Sequence, residues 1–157
     1  MRNHYNIVDI GHNLFLSHRD RCGIVILLEQ TLHIHRNDMP NNSCHMIATG
    51  MDRGLVVEYK DGESLYNASI SMDTIAGFLT GNEPRLINCT VGQTRSPTIA
   101  IIGKLMRGAT FEEAIGDIMA KTWRARGIVT NLCLTPLKDI FEWAESRGLM
   151  NEHGRQA

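Results

Sequence analysis

A cysteine, an arginine and a serine lie within eight residues of one another in the segment INCTVGQTRSPT, residues 87–98. Cys89 follows the short apolar run Leu86–Ile87, Arg95 comes six residues later, and Ser96 follows it directly. A thiolate is a strong nucleophile, a guanidinium donates two parallel hydrogen bonds to phosphate oxygens, and a hydroxyl can bond the sulfur and make it a better leaving group. These residue types at this spacing can therefore bind a phosphate group and attack its phosphorus.

The backbone between Cys89 and a following helix is suited to holding an anion. Pro97 fits the first position of a helix, whose N-terminus presents unpaired N–H groups and the positive end of a dipole. Gly92 supplies the conformational freedom that lets successive N–H groups turn inward as an anion nest. Cys89, at the base of this nest, would lie in a positive potential that favours its thiolate. The expected phosphate-binding residues are Thr90, Val91, Gly92, Gln93, Thr94 and Arg95.

The leaving oxygen also needs a proton, which calls for a carboxyl group on another loop. Asp61 is the first candidate for this general acid, because it follows a predicted strand over 55–60 and lies next to the flexible Gly62. The alternatives are Asp52 in a different turn, Asp73 in a predicted helix, and Glu63 in the same loop as Asp61.

The elements that must position these side chains alternate along the chain. Strands are predicted over 14–16, 23–28, 45–49, 55–60 and 85–89, with a polar loop over 35–44. Helices are predicted over 72–79, from Pro97, after an N-cap at Thr110, and from Thr135-Pro136. Strands that alternate with helices indicate an α/β fold with a central, mainly parallel sheet of four to five strands flanked by helices.

Length and composition fit a single globular domain. The chain has 157 residues, of which 43% are hydrophobic and 21% charged. We assign the domain to residues 1–148 and a frayed C-terminal tail to residues 149–157. A formal net charge of −1 gives no global electrostatic reason to expect a nucleic acid or an anionic membrane as partner. No apolar run approaches ~18 residues, so no membrane span is expected.

Cysteine and histidine usage bears on compartment and metal binding. The four cysteines are widely spaced without a C-x-x-C pair, which favours free thiols in a reducing compartment and predicts a cytoplasmic protein without an N-terminal secretory signal. They are Cys22, Cys44, Cys89 and Cys133. His33, His35 and His45 lack a further ligand at a supportive spacing, so neither a metal ion nor another cofactor is expected.

The run C-T-V-G-Q-T-R-S, residues 89–96, resembles the C-x5-R-[ST] motif of the cysteine-dependent protein tyrosine phosphatases. It is most similar to the compact dual-specificity branch, whose loop often reads H-C-x-x-G-x-x-R-S. The similarity extends to the segments NLFLS, GIVILL and VVEYKD, and Asp61 precedes Cys89 by 28 residues, a separation like that of the family. The resemblance covers most of residues 7–145, although only the loop is a specific motif.

The resemblance implies a role for each matching residue. Cys89 would be the nucleophile, Arg95 would bind the phosphate, Ser96 would assist release of the thiolate, and Asp61 would be general acid and then general base. The implied reaction is a two-step, metal-independent hydrolysis through a cysteinyl-phosphate. Its implied substrates are proteins or peptides phosphorylated on tyrosine, serine or threonine, and phosphate or vanadate would inhibit it.

One departure from the family pattern keeps other functions open. The family usually has a histidine immediately before the cysteine, where this chain has Asn88. A weakly active or inactive phosphate-binding pseudophosphatase is therefore one alternative. A second alternative keeps the chemistry and changes the substrate to RNA 5′-phosphates or phosphoinositides, with Arg124 and Arg126 as a possible basic rim and Asn131 as a residue that would order the loop or a water molecule.

Overall fold

Five strands form one sheet in the part of the chain that the computed structural model describes, which comprises residues 8–18, 31–35, 55–60, 62–89 and 95–150. Their spatial order is β1-β2-β5-β3-β4, with β1 antiparallel to β2 and every other neighbouring pair parallel. The strands are β1 (Val8–Gly11), β2 (Leu14–His18), β3 (Thr31–His35), β4 (Leu55–Glu58) and β5 (Arg85–Cys89). The sheet is therefore mainly parallel, as the alternation of strands and helices predicted.

The strand that ends at Cys89 lies in the interior of this sheet. In the parallel register, Cys89 of β5 is opposite His18 of β2, and Ile87 is opposite Leu32 of β3. β4 runs in the same direction and ends at Glu58. Because the carboxyl ends of parallel strands meet at one edge of a sheet, the turn that follows β4 and the loop that follows β5 leave the sheet at the same edge.

Four α-helices and one short 3-10 helix pack with this sheet within the described residues. They are the 3-10 helix (Leu65–Asn67), α1 (Met72–Leu79), α2 (Arg95–Met106), α3 (Phe111–Arg126) and α4 (Leu134–Ser146). Ser71 and Thr110 cap α1 and α3, because each side-chain oxygen accepts a hydrogen bond at 3.1 Å from the backbone N–H three residues later. The N-cap predicted at Thr110 is thereby confirmed.

α2 is the central helix. It is buried along nearly its whole length and contacts β2 and β5 as well as the three other helices. A Cβ added at Gly103 would lie 3.1 Å from side-chain atoms of both Leu14 and Leu79, so glycine permits α2 to approach β2 and α1 this closely. The position of α2, and of the residues at its N-terminus, is therefore fixed by packing on several sides.

Several elements agree with the sequence-based expectations, with shifts at their ends. The strand over 85–89 and the helix over 72–79 match the prediction, and the strand predicted over 55–60 ends at Glu58. α2 begins at Arg95 and α4 at Leu134, in each case one or two residues before the predicted start. Proline at the third position of α2 costs no hydrogen bond, because the first four N–H groups of a helix have no partner within the helix.

Two strands were not predicted, and some predicted elements lie outside the described residues. β1 alternates buried and exposed side chains over only four residues, and β3 was left unassigned. The turn between β1 and β2 consists of His12 and Asn13, both with positive φ, as in a type I′ hairpin turn that more often contains Asn-Gly. The strands predicted over 23–28 and 45–49, and residues 36–44 of the predicted loop, lie outside the described residues.

The predicted C-terminal tail begins too early by two residues. Met150 is buried, and the N–H of Leu149 donates to the carbonyl of Ala144 at 3.0 Å. Both residues therefore pack against the domain, beyond the boundary predicted at residue 148.

Candidate active site

The predicted nucleophile and two of its predicted partners meet where β5 leads into α2. Cys89 is the last residue of β5, and Arg95 and Ser96 are the first two residues of α2. All three are buried, with exposed fractions of 2%, 4% and 0%. The predicted phosphate-binding residues Thr90, Val91, Gly92, Gln93 and Thr94 form the connection and lie outside the described residues. The strand, the connection and the helix therefore follow one another as the sequence predicted.

A hydrogen bond joins the two ends of this connection. The Cys89 thiol donates to Ser96 Oγ at a sulfur–oxygen distance of 3.3 Å, and both atoms belong to buried residues. When the sulfur is ionised, the hydroxyl can donate along the same line, because a hydroxyl is both donor and acceptor. The contact predicted between Ser96 and the cysteine sulfur is thus present.

A buried lysine on α2, which sequence analysis missed, anchors the helix at its other end. Lys104 is completely buried, and its Nζ donates to the carbonyl oxygen of Ile10 at 2.5 Å and to Asp117 Oδ2 at 2.9 Å. α2 is thereby tied to β1 and to α3. Gly11 ends β1 with a φ of 87°, a value that favours glycine, and a Cβ there would also lie 3.0 Å from Lys104 Nζ. The sequence predicts a helix from Pro97, but nothing in it indicates that this lysine is buried.

The Lys104–Asp117 pair affects the titration of the carboxyl group. The hydrogen bond from Lys104 is the largest of the effects that lower the pKa of Asp117 below its ordinary value of 3.8. His12, in the nearby hairpin turn, has a pKa lowered from 6.5, first by burial and then by the charge of Lys104. The pKa of Asp117 is therefore lowered mainly by its hydrogen bond to an ammonium group, and the pKa of His12 mainly by its own burial.

The turn that follows β4 is stabilised by Tyr59 and by its own backbone. Tyr59 is buried, and its hydroxyl donates to the carbonyl oxygen of Glu63 at 2.8 Å. The N–H of Glu63 donates to the carbonyl oxygen of Lys60 at 3.3 Å, and Gly62 has a φ of 77°, a value that favours glycine. Asp61 itself lies outside the described residues, so its assignment as general acid stays a prediction.

The rival carboxyl groups differ in their surroundings. Asp73 accepts hydrogen bonds from Trp143 Nε1 at 2.9 Å and from Arg147 Nε at 2.7 Å, and Arg147 is the main reason that the pKa of Asp73 is lowered. A carboxyl group held ionised in this way is poorly suited to donating a proton. Glu63 is exposed in the turn after β4, and Asp52 lies outside the described residues.

Asp73 also lines a cavity of its own. This cavity has a volume of about 280 Å³ and is bordered by Asp73, Trp143 and Arg147 together with residues 65–66 and 68–72. Among the described residues, its lining does not include Cys89 or the first turn of α2. The structure therefore separates Asp73 from the site around the cysteine.

Other residues considered from the sequence lie elsewhere. Arg124, exposed in the last turn of α3, borders a shallow hollow of about 370 Å³ together with Lys121 and Asp9. Arg126 ends α3 and is partly buried, and Asn131 is exposed in the segment between α3 and α4. Within the described part of the chain, no three His, Cys, Asp or Glu side chains are grouped as metal ligands.

None of the described helices combines the length and the apolar character needed to cross a bilayer.

Comparison with known proteins gives matches in structure only. No family model and no curated protein sequence matches the chain. PTPMT1, solved in complex with PI(5)P, is 16% identical with a TM-score of 0.63, and the match covers 89% of this chain and 95% of that one. A mouse putative dual specificity phosphatase complexed with zinc tungstate is 14% identical with a TM-score of 0.61, over 95% of this chain and 94% of that one. Tk-PTP in its active form is 15% identical with a TM-score of 0.59, over 92% and 99%.

These similarities identify the fold. Each neighbour is matched over nearly its whole length, so the likeness concerns the complete domain and not one motif. The chain has the α/β fold of the cysteine-based tyrosine and dual specificity phosphatases, and the resemblance found in the sequence is confirmed at that level. A fold alone does not determine an activity, which depends on the residues of the site.

Proposed function

We propose that this protein is a cysteine-dependent phosphatase that hydrolyses phosphomonoesters through a cysteinyl-phosphate intermediate, without a metal ion. The observation that carries the proposal is the 3.3 Å hydrogen bond between Cys89 and Ser96, which joins the end of β5 to the first turn of α2 next to the buried Arg95. A thiolate at this position would be stabilised by the positive end of the helix dipole and by the charge of Arg95. The fold shared with known phosphatases is consistent with that reading.

In the first step the Cys89 thiolate attacks the phosphorus of the substrate. The sulfur–phosphorus bond forms while the bond from phosphorus to the leaving oxygen breaks, and Asp61 gives its proton to that oxygen. Arg95 and the N–H groups of residues 90–94 bind the non-bridging phosphate oxygens, whose charge they stabilise in the transition state. The products of this step are the free alcohol or phenol and the cysteinyl-phosphate.

In the second step a water molecule attacks the phosphorus of the intermediate. The Asp61 carboxylate, left without its proton by the first step, takes a proton from the water. The sulfur–phosphorus bond breaks, and the Ser96 hydroxyl donates a hydrogen bond to the departing thiolate. Inorganic phosphate leaves, and both Cys89 and Asp61 return to their initial protonation states.

The substrates that we propose are proteins or peptides phosphorylated on tyrosine, serine or threonine. A second candidate substrate class is the phosphoinositides, because one structural neighbour, PTPMT1, was solved in complex with PI(5)P. A panel of a phosphotyrosine peptide, a phosphothreonine peptide, PI(5)P and an RNA 5′-phosphate separates these classes by relative kcat/KM.

A hydrolysis assay with p-nitrophenyl phosphate tests the proposed chemistry. The wild-type protein should release p-nitrophenol in a reaction that vanadate inhibits, and Cys89→Ser should abolish turnover while vanadate or phosphate binding survives. Cys22→Ser serves as the control, because the sequence assigns Cys22 no role in the reaction. Turnover that persists undiminished in Cys89→Ser would refute the mechanism. If the wild type bound phosphopeptide without hydrolysing it, the protein would instead be a phosphate-binding module. Asn88, in place of the usual histidine, is the residue that favours this alternative.

A further inference from the structure

Asp139 on α4 is a buried carboxylate that the mechanism above does not use. Its side chain lies in the interior, with an exposed fraction of 8% for the residue. One oxygen, Oδ2, accepts two hydrogen bonds, from Ser64 Oγ and from the backbone N–H of Leu65, both at 2.8 Å. These donors are 75 and 74 residues away in the chain, so the bonds join α4 to the segment that follows β4.

The hydrogen bonds to Asp139 hold α4 strongly to the segment that follows β4. A buried carboxylate is costly unless hydrogen bonds compensate for its lost hydration. Bonds from N–H and O–H groups to an ionised acceptor are about twice as strong as bonds between neutral groups. Removing Asp139 would leave the N–H of Leu65, itself a buried residue, without the acceptor that it has now. The two bonds therefore fix the position of Ser64 and Leu65 relative to α4.

The segment held by Asp139 continues the turn that carries Asp61. Ser64 follows Asp61 by three residues and also caps the 3-10 helix, because its Oγ accepts from the N–H of Tyr66 at 3.3 Å. On the other side, the Tyr59 hydroxyl holds the carbonyl of Glu63. Glu63 is thus tied to Tyr59, directly after β4, and Ser64 is tied to α4 at the start of the 3-10 helix.

We infer that Asp139 is a positioning residue for general acid catalysis, which acts by fixing the turn that carries Asp61. This inference rests on the proposed function, since it requires Asp61 to donate the proton. Proton transfer in the transition state depends on placing the acid within hydrogen-bond reach of the leaving oxygen. Bonds that hold Glu63 to Tyr59 and Ser64 to α4 would narrow the range of positions open to a side chain carried between them.

The test compares substrates with good and poor leaving groups in Asp139→Asn, Asp61→Ala and the double variant. The asparagine keeps the shape of the side chain and removes its charge. For phenyl phosphate, a poor leaving group, we expect kcat of Asp139→Asn to fall by roughly ten- to a hundredfold. For p-nitrophenyl phosphate, whose leaving group needs little protonation, we expect a much smaller loss. In the Asp61→Ala background, Asp139→Asn should cause no further loss with either substrate.

If Asp139 contributed only to stability, its replacement would slow both substrates alike. Asp117→Asn is the matched control for such an effect. Asp117 is also a carboxylate that holds elements together through a hydrogen bond, but its partner Lys104 is on α2. Its replacement should lower thermal stability without favouring either leaving group. If Asp139→Asn slows both substrates equally, or if its effect adds fully to that of Asp61→Ala, the inference is wrong.

Two further measurements keep the inference distinct from the proposed function. Ser64→Ala removes one of the two hydrogen bonds and is the milder variant, to be used if Asp139→Asn does not fold; it should show the same leaving-group dependence in smaller degree. Hydrogen exchange at the Leu65 amide should accelerate in Asp139→Asn, and unchanged exchange there would overturn the inference whatever the activity. If the wild type shows no Cys89-dependent turnover, the proposed function is refuted. If activity depends on Asp61 but Asp139→Asn shows no leaving-group dependence, only the role of Asp139 is refuted.

Discussion

Cys89 and Ser96 are seven residues apart in the chain, yet the sulfur of one and the hydroxyl oxygen of the other are hydrogen-bonded at 3.3 Å. The bond joins β5 to α2, and both residues are buried. A hydroxyl in that position can stabilise negative charge on the sulfur. The Ser96 hydroxyl should therefore contribute most to the second step, in which the thiolate departs.

Ser96→Ala should slow the second step more than the first. Loss of a hydrogen bond to a charged leaving group is expected to reduce the rate of intermediate hydrolysis by about 10- to 100-fold. Rapid-mixing experiments with p-nitrophenyl phosphate should then show a burst of p-nitrophenol followed by slow turnover. Ser96→Thr, which keeps the hydroxyl, is the matched variant. A uniform fall in kcat without a burst would argue against this role.

Arg95→Lys should be far from conservative. A lysine keeps the charge but cannot offer the two parallel donors of a guanidinium, and a phosphate with three equatorial oxygens in the transition state gains from that geometry. We expect kcat/KM to fall by roughly 10²–10³-fold. Arg124→Lys, at an exposed position on α3, should leave kcat/KM close to that of the wild type. Equal effects of the two substitutions would show that Arg95 acts only through its charge.

The identity of the general acid can be decided with three carboxyl variants. Asp61→Ala should reduce kcat by about 10²–10⁴-fold for phenyl phosphate and much less for p-nitrophenyl phosphate. Asp73→Asn and Glu63→Gln should leave both rates near those of the wild type, since Asp73 is held by Trp143 and Arg147. A loss confined to poor leaving groups in Glu63→Gln would transfer the role to Glu63.

The Lys104–Asp117 pair should make stability depend on pH in the acid range. Because Lys104 lowers the pKa of Asp117 below 3.8, the pair contributes its full stabilisation above pH 3.8 and loses it as the pH falls through the lower, folded-state pKa. Asp117→Asn should reduce the free energy of unfolding at neutral pH by about 1–2 kcal/mol, an amount that solvent at the half-exposed Asp117 keeps small.

The measurement is urea unfolding of wild type and Asp117→Asn at neutral pH and again below pH 3.8. The difference between the two proteins should shrink in acid, because protonation removes the same interaction that the substitution removes. A difference that is constant over this range would mean that the carboxylate charge contributes nothing.

Much of the candidate site could be predicted because its residues are adjacent in sequence. A strand that ends at Cys89, a loop and a helix that begins near Pro97 are all local features, with periodicity and proline placement to mark them. The start of α2 at Arg95 was missed by two residues, since proline is tolerated anywhere in the first turn and so does not fix the first residue.

Contacts between distant segments were the part that sequence reasoning could not supply. The sequence around Lys104 does not indicate that its ammonium group will donate hydrogen bonds to a carbonyl of β1 and a carboxylate of α3. Asp139 likewise looks like an ordinary helix residue until Ser64 and Leu65 are placed against it. The hairpin turn at His12-Asn13 lacks the glycine by which such turns are usually recognised.

The position of β5 inside the sheet has a consequence for self-association. β1 and β4 form the two edges of the described sheet, and each is separated from β5 by one intervening strand, a distance of about 10 Å. Edge-to-edge pairing, by which one chain extends the sheet of another, begins at an edge strand, and among the described strands the edges are β1 and β4. Oligomers built in that way would keep the backbone pairing on both sides of the strand that carries the thiol.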